Sequence, residues 1–257
     1  MIGFLIKKWF FDLWDNLFRL ILINLGFIFL MGVLVYLPYI FRFSTLLSYI
    51  GLVIGIVGLN IYAGASSLLC RDIADYKSPG FNEFPGYVKE IWKQAVVLSV
   101  ITIVQFFILT VVMPFYFTMG GVPGLFAISV LFWINIFWWL VGQYYFPVRA
   151  RLDSEIRKIL KKCFIIFFDN TGFSVFLGIF SIVTFLLSIF TAFLLPGMGS
   201  ILLLHQVALK LRLYKYDYLE KNPGAKRKNI PWEVLLIEDK ERVGTRTLKG
   251  MIFPWKE

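Results

Sequence analysis

Few residues of this chain have a type and spacing that could carry out chemistry. The 257-residue sequence contains one histidine, His205, and two cysteines, Cys70 and Cys163. A catalytic histidine needs a group that orients it, and no carboxylate lies near His205 in the sequence. Two cysteines are too few for a zinc site, and we expect them to be reduced packing residues. We predict no catalytic residue, no metal and no cofactor. For His205, hydrogen-bonded packing and a functional role both stay open.

Amide side chains are the other polar groups inside the long apolar stretches. They are Asn24, Asn60, Gln105, Asn135 and Gln143. In hydrocarbon an amide must find a hydrogen-bond partner. One interpretation is that these amides join neighbouring helices. The other is that they converge on a polar cavity, which would make Asn60, Gln105, Asn135, Gln143 and His205 the candidate substrate-binding residues.

The composition requires lipid as part of the solvent. Hydrophobic residues make up 59% of the chain, charged residues only 16%, and the mean hydropathy is +0.76. A soluble domain has about 25% charged residues. Four long stretches carry no Asp, Glu, Lys or Arg: 20–41, 43–70, 94–148 and 170–209. Since a helix needs about 20 apolar residues to cross a bilayer, we predict spans at 20–40, 44–69, 95–117, 124–147, 173–195 and 197–212.

These spans predict an all-α fold, a polytopic membrane helical bundle. It has six transmembrane helices, or five if 197–212 does not cross, since its 16 residues extend only about 24 Å. A re-entrant or interfacial helix is the alternative for that segment. The predicted domains are a membrane domain, 1–212, and a tail, 213–257. In the tail, Trp232 to Ile237 has the composition of a short strand, and Pro-Trp pairs stand at 231–232 and 254–255.

The basic residues predict the orientation. The chain has 26 Lys and Arg residues, and with six spans only Arg42 falls on the side of the 120–124 turn. This asymmetry is typical of the positive-inside pattern. It places both termini in the cytoplasm, and we predict the cytoplasmic membrane as the location. The net charge of +10 is then explained by the lipid headgroups, and we predict no nucleic-acid partner.

Amphipathic helices are predicted on the cytoplasmic side at 3–15, 82–95 and 154–167. In the first, we expect Phe4, Trp9, Phe10 and Leu13 to form the apolar face. Each helix leads into a span, which suggests a threefold repeat of helical hairpins with a proline, Pro38, Pro114 or Pro196, at each outer end. In the second span, Gly51, Gly55 and Gly58 form a small-residue face against which another helix can pack.

Two stretches carry a resemblance to a known family. The first, from Ile61 to Lys93, is a span end, a basic exit and an amphipathic helix. The second is Tyr145-Phe146-Pro147-Val148-Arg149-Ala150-Arg151-Leu152-Asp153, followed by Ile159 to Cys163. Together they resemble the YesL-like family of bacterial membrane proteins, a domain of unknown function, over residues 15 to 212. The resemblance implies a bacterial protein associated with carbohydrate uptake, and it implies no catalytic residues.

We therefore expect a non-enzymatic integral membrane protein that acts as an accessory or scaffold subunit of a transport system. Its partners would be the lipid bilayer and a membrane transporter complex, and the oligomeric state stays open. The alternative is a small transporter or lipid-binding protein with its site between spans. That alternative predicts a polar cavity near the middle of the membrane.

Overall fold

The computed structural model describes residues 1–224 and 230–246, and within these ranges all regular secondary structure is helical. The helices are α1 (Ile2–Asp15), α2 (Leu17–Ile40), α3 (Thr45–Ala74), α4 (Phe84–Phe107), α5 (Met113–Met119), α6 (Gly121–Gly142), α7 (Tyr145–Arg151), α8 (Ile156–Asp169), α9 (Thr171–Phe190), α10 (Gly197–Lys221), α11 (Trp232–Leu235) and α12 (Ile237–Val243). A 3-10 turn (Phe81–Glu83) precedes α4, and a π-helical turn (Ile108–Val112) joins α4 to α5. The predicted all-α bundle is confirmed.

Five helical segments in the described residues are long and apolar enough to cross a membrane. They are Leu17–Ile40, Thr45–Ala74, Phe81–Met119, Gly121–Arg151 and Thr171–Phe190. They coincide with the first five predicted spans, with ends that differ by several residues. The largest difference is at the third span, because the predicted amphipathic helix 82–95 is not separate. It is the first part of the helix that continues through α4 and α5.

Glycine and proline explain the breaks around the third and fourth spans. Gly120 and Gly121 have φ values of +64° and +65°, in the left-handed region that favours glycine. The chain therefore reverses between α5 and α6, as the sequence predicts. Pro114 does not end its helix but is the second residue after the π-helical turn. Proline has no N–H to donate to the preceding turn, so the helix widens locally and continues.

The predicted sixth span, 197–212, is the first part of α10, which is not among the apolar candidate spans. Helices α9 and α10 form an antiparallel hairpin, and its tip contacts α2 at Asn24. The Asn24 amide donates to the carbonyls of Leu194 (2.8 Å) and Pro196 (3.0 Å) and accepts from the Gly199 N–H (2.7 Å). A side chain at Gly197, whose φ is +66°, would collide with Asn24.

This contact limits how far the hairpin extends along the bundle. From Asn24 to the end of α2 at Ile40 there are 16 residues, or about 24 Å of helix beyond the hairpin tip. The Gly199 carbonyl also accepts a hydrogen bond from Cys70, four residues before the end of α3. The tip therefore lies near the ends of α2 and α3 that are remote from the 41–44 connection. The sequence leaves both a complete sixth span and a re-entrant or interfacial helix open for 197–212, and the position of the hairpin tip favours the second.

The spans pack as two groups, which are joined by the contact between α5 and α6 at one end and by α7 and α10 at the other. Helices α2, α3 and α4 pack together, and α6 packs against α8 and α9. Among the described residues, α6 has no extensive contact with α2, α3 or α4. Helix α10 contacts α1, α2, α3, α7 and α9, while α7 contacts α3 and α8. The largest core thus lies around α10, and much of the apolar surface of the spans is left for lipid.

The described part of the tail is helical and belongs to the same body. Helix α10 continues through the predicted domain boundary at 212–213. The predicted strand at Trp232 to Ile237 is wrong, because α11 and α12 occupy this segment. The inward-facing residues Trp232, Leu236, Asp239 and Val243 recur at helical spacing, whereas a short apolar run alone cannot distinguish helix from strand. The second Pro-Trp pair, 254–255, lies outside the described residues.

The three predicted repeat units follow the predicted order of an amphipathic segment, a helix and a returning helix, but they differ in detail. The first unit consists of α1, α2 and α3, with a separate amphipathic helix and two apolar spans. In the second unit, the amphipathic segment and the span form one helix. In the third, the returning helix is α10, which starts beside Asn24. The three proline positions also differ, since Pro38 lies inside α2 and Pro114 inside the third span.

Candidate functional site

A cavity of about 550 Å³ lies between α6, α9 and α10. Ile136, Trp139, Phe185 and Ile201 are among the residues of its largely apolar wall. The polar side chains on that wall are Gln143, Ser181 and His205. The structure thus brings together two residues, Gln143 and His205, that the sequence identifies as candidates. An apolar cavity with a few convergent polar groups has the general character of a small-molecule site.

His205 is held by a hydrogen bond to Ser181 across the α9–α10 hairpin. The distance between His205 Nε2 and Ser181 Oγ is 2.9 Å, and Ser181 Oγ is also 2.8 Å from the Leu177 carbonyl oxygen. Both contacts are hydrogen bonds only when the Ser181 hydroxyl donates to Leu177 and Nε2 of His205 donates to Ser181. In a neutral imidazole the other nitrogen, Nδ1, is then an acceptor. Ser181 is accordingly not arranged as a nucleophile activated by His205.

Gln143 is held from the opposite wall of the cavity. Its Nε2 donates to the Ser174 carbonyl oxygen of α9 at 3.0 Å. Tyr144 fixes the same serine, since its hydroxyl lies 2.7 Å from Ser174 Oγ. Among the described residues, no hydrogen-bond donor reaches the carbonyl oxygen Oε1 of Gln143. The amide is therefore oriented by the protein while its oxygen Oε1 is left as an unused acceptor.

The other candidate amides do not converge on this cavity. Asn60 donates to the Ile56 carbonyl (3.0 Å) and Asn135 to the Leu131 carbonyl (2.8 Å), each one turn back in its own helix. Gln105 makes no side-chain hydrogen bond within the described part of the chain. Asn24 closes the tip of the α9–α10 hairpin. Of the amides offered for a site between spans, Gln143 is the one that lines this cavity.

Two of the three glycines of the predicted packing face lie against α2. A Cβ at Gly51 would approach the backbone of Leu37 to 3.3 Å, and one at Gly55 would approach the Leu34 Cα to 3.0 Å. These glycines therefore permit the close approach of α2 and α3 within one chain. Gly58 has open space at its Cβ position and takes no part in this contact.

A second polar cluster lies at the end of the bundle that carries α1 and the tail. We call Lys8, Asp12, Tyr76, Lys210 and Asp239 the charged centre. Lys8 donates to Asp12 at 2.8 Å, and both side chains are buried. The Lys8 ammonium lies 3.7 Å from the centroid of the Tyr76 ring, and the Lys210 ammonium 4.6 Å. The cluster joins α1, the end of α3, α10 and α12.

Asp239 connects the tail helix α12 to this cluster. Its carboxylate accepts hydrogen bonds from the hydroxyls of Tyr76 (2.6 Å) and Tyr214 (2.8 Å) and lies 3.3 Å from Lys210 Nζ. Burial by itself would raise the pKa of Asp239, but the Tyr76 hydrogen bond and Lys210 outweigh it, so the pKa lies below its ordinary value. Asp239 is therefore an ionised carboxylate that fixes α12 to the bundle.

Burial has the largest effect on the pKa of Asp12, the other carboxylate of the charged centre. Desolvation raises the pKa of Asp12 to about 6, although the Lys8 charge and hydrogen bond oppose the shift. Desolvation also lowers the pKa of Lys8. Taking a charged pair out of water costs free energy that the mutual attraction only partly offsets. Lys8 and Asp12 are thus a pair whose charge state is sensitive to its surroundings.

The ionic contacts continue from the charged centre along α3, α7 and α10. Arg151 pairs with Asp75 at 3.0 Å, and its Nε donates to the side-chain oxygen Oε1 of Gln206 at 3.1 Å. Gln206 in turn donates to Ser67 of α3 at 2.9 Å. Arg151 is the second arginine of the Tyr145 to Asp153 stretch. Its role here is to connect three helices at the end of the bundle where they meet.

Sequence reasoning missed the charged centre, although one signal for it existed. Leu5, Lys8, Trp9 and Asp12 follow the spacing i, i+3, i+4 and i+7, and all four are buried. Of the predicted apolar face of α1, Trp9 and Leu13 are buried, and Phe4 and Phe10 are half-buried against the same core. The distant partners Tyr76, Lys210 and Asp239 carry no local signal.

The remaining candidates for chemistry have packing environments. Cys70 and Cys163 are both buried free thiols, and burial raises the pKa of the Cys163 thiol to about 12. Such a thiol is protonated near neutral pH and is a poor nucleophile. Within residues 1–224 and 230–246, no group of three or more His, Cys, Asp or Glu side chains could hold a metal ion.

Five long apolar helices and a polar end that joins them define the class of this chain: it is an integral membrane protein with an all-α fold. No protein-family model, no curated protein and no solved structure matches it. The resemblance to the YesL-like family therefore stays a prediction.

Proposed function

We propose that this protein is a non-enzymatic accessory or scaffold subunit of a membrane transport system, and that its partner binds a basic face at the end of the bundle. This basic face consists of the exposed cations Lys89, Lys93, Arg157, Lys158 and Lys161. They belong to the two segments, 82–95 and 154–167, whose amphipathic pattern the sequence already shows. The proposal depends on these segments lying side by side.

The contact between the two segments is the observation that supports this proposal. Gln94 of α4 donates to the Ser154 carbonyl, just before α8, at 2.8 Å. Arg149 of α7 donates to the Glu90 carbonyl at 2.9 Å. Ile159 and Cys163 hold the other side of α8 in the core. The end of the first segment and the start of the second therefore lie next to each other, at the same end of the bundle.

The charge of this face indicates the chemistry of the partner. Lys158 is paired with Glu155 and Lys93 lies over the Trp92 ring, while Arg157 and Lys161 have no ion pair in the described part of the chain. A cluster of exposed cations attracts a complementary acidic surface and accelerates its association. We infer that the partner is a transport component with an acidic cytoplasmic surface.

Two further inferences belong to the same proposal. The distribution of Lys and Arg favours a cytoplasmic location for the basic face and for both termini, in the inner membrane of a bacterium. The resemblance to the YesL-like family favours carbohydrate uptake as the kind of transport. Both the membrane location and the kind of transport are proposals that rest on the sequence.

The proposal predicts co-purification that depends on the basic face. The tagged protein, extracted in mild detergent, should retain a transport component, and Arg157→Glu with Lys161→Glu should abolish its recovery. Lys221→Glu with Lys240→Glu is the matched control, because it reverses two exposed cations outside the basic face. Recovery of a monomer alone from the wild type, or equal loss in both double variants, would contradict the proposal.

Binding to anionic lipid is the competing use of the same cations. Vesicles with and without phosphatidylglycerol test it in the absence of any protein partner. If Arg157→Glu with Lys161→Glu weakens vesicle binding but leaves co-purification unchanged, the basic face serves the membrane surface and the scaffold proposal fails.

A further inference from the structure

We propose that the cavity between α6, α9 and α10 binds a neutral amphiphile with a hydroxyl headgroup, that is, a lipid alcohol. This inference is independent of the basic face. It concerns a site inside the apolar part of the molecule, and its ligand comes from the bilayer. The argument uses the position of the cavity, its wall and the unused hydrogen-bonding atoms of two residues.

The wall of the cavity favours a ligand whose larger part is apolar. Helices α6 and α9 are both candidate spans, so the cavity opens among apolar segments. Its volume of about 550 Å³ lies within the range of ligand sites, roughly 300–1,000 Å³. The wall is mainly hydrocarbon, with side chains such as Ile136, Ile182 and Ile201. A ligand with an extended polar or ionic surface would lose its hydration there without compensation.

The polar atoms of the cavity select the headgroup. His205 uses its Nε2–H on Ser181, which leaves Nδ1 as an acceptor, and Gln143 uses Nε2 on Ser174, which leaves Oε1 as an acceptor. Neither acceptor has a partner within the described ranges. A hydroxyl can donate to one of them, whereas an ether or ester oxygen cannot donate at all.

The lack of charged side chains among the described residues of the cavity wall excludes ionic headgroups. Among the residues that the structure describes, no Asp, Glu, Lys or Arg lines the cavity. A carboxylate or phosphate would be buried without a counter-charge, which costs far more than one hydrogen bond returns. A primary ammonium would be equally unpaired. The headgroup that fits is neutral, carries a donor and is small enough to reach Gln143 or His205.

Photolabelling with a diazirine-bearing fatty alcohol tests this proposal in the full-length protein in nanodiscs. Labelling should be saturable, should map to residues of α6, α9 and α10 that line the cavity, and should be competed by unlabelled alcohol. The matching methyl ether and the matching fatty acid should compete at least tenfold less well. Equal competition by all three, or labelling that does not saturate and spreads over every lipid-facing helix, would overturn the proposal.

Variants separate the cavity from general lipid contact. Gln143→Leu combined with His205→Leu removes both acceptors and should weaken binding of the alcohol roughly three- to twentyfold, the range for one hydrogen bond within a membrane. Asn135→Leu is the matched control, because it removes an amide of α6 that does not line the cavity. Should a leucine variant fail to fold, Ile136→Trp or Ile182→Trp tests the site by filling it, and undiminished labelling in these variants would also overturn the proposal.

Discussion

At the scale of single residues, the most informative feature is that ionisable side chains are buried where the sequence suggests an amphipathic surface. Lys8 and Asp12 face the core from α1, and Asp239 joins them from α12. Removing one member of such a cluster leaves another charge buried without compensation, which usually costs about 3–5 kcal/mol. The charged centre therefore acts on stability, and it makes that stability depend on pH.

Asp12 determines the direction of this pH dependence. Its pKa is raised to about 6 in the folded protein, against about 3.9 for an unperturbed aspartate. As the pH falls through 6, the folded state takes up a proton that the unfolded state does not yet bind. Folding is then favoured by about 1 kcal/mol between pH 7 and pH 5. Wild type should gain this increment relative to Asp12→Asn, as measured by detergent-solubilised unfolding at each pH.

Asp15→Asn is the control for this experiment, since Asp15 is an exposed carboxylate of the same helix and pairs with Arg246 at 3.0 Å. Lys8, Lys210, Tyr76 and Asp239 all face Asp12 and are unchanged in both variants. The quantity compared is the free energy of unfolding of the wild type minus that of Asp12→Asn. If it stays constant or decreases as the pH falls, the Asp12 carboxylate is not destabilised by burial.

At the scale of secondary-structure elements, the α9–α10 hairpin is the feature that departs most from a simple bundle. Asn24 binds three backbone groups at the hairpin tip, so the depth of the tip is defined by a side chain of α2. The tip is about 24 Å of helix away from the far end of α2. We interpret α9 and the start of α10 as a hairpin that enters the apolar region without reaching its other side.

Cysteine labelling tests the depth of the hairpin. Phe190, at the end of α9, and Phe43, in the connection between α2 and α3, are both exposed on the protein surface, at 88% and 76%. A membrane-impermeant maleimide should label Phe43→Cys from the outer side. Phe190→Cys should stay unlabelled from that side, because its side chain faces lipid. The native cysteines are buried and serve as the low background. Equal labelling of both positions from the outer side would indicate a complete span.

At the scale of the whole molecule, the N-terminal helix and the described tail lie at the same end. Lys7 donates to the Gly244 carbonyl at 3.0 Å, Arg246 pairs with Asp15 at 3.0 Å, and Tyr76 donates to Asp239 at 2.6 Å. The two groups of spans also meet at this end, through α7 and α10. Both termini should therefore be on one side of the membrane, whichever side that is.

Protease protection checks this arrangement. Epitopes fused to the N-terminus and to the C-terminus should respond identically: both protected in spheroplasts and both cleaved in inside-out vesicles, if the positive-inside pattern holds. An epitope inserted between Phe41 and Ser44 should show the opposite pattern and is the control for vesicle sidedness. Opposite behaviour of the two termini would contradict the contacts between α1 and α12.

The sequence by itself determined the solvent of this protein and most of its helices. Charge-free stretches are a one-dimensional property, so the membrane class, the five long apolar helices and the break at Gly120 and Gly121 follow from composition and local pattern. The same holds for α1 and α8, whose amphipathic periodicity is local, and for Gln143 and His205 as polar groups inside apolar helices.

Only the tertiary structure decided what these elements contact. The depth of the α9–α10 hairpin depends on a hydrogen-bonded contact between Asn24 and Gly199, 175 residues away. The charged centre collects Lys8, Tyr76, Lys210 and Asp239 from four elements, and the cavity collects Gln143 and His205 from two. Such long-range pairings have no local periodicity that a single sequence could reveal. Burial and hydrogen bonding act between side chains that meet only after the chain has folded.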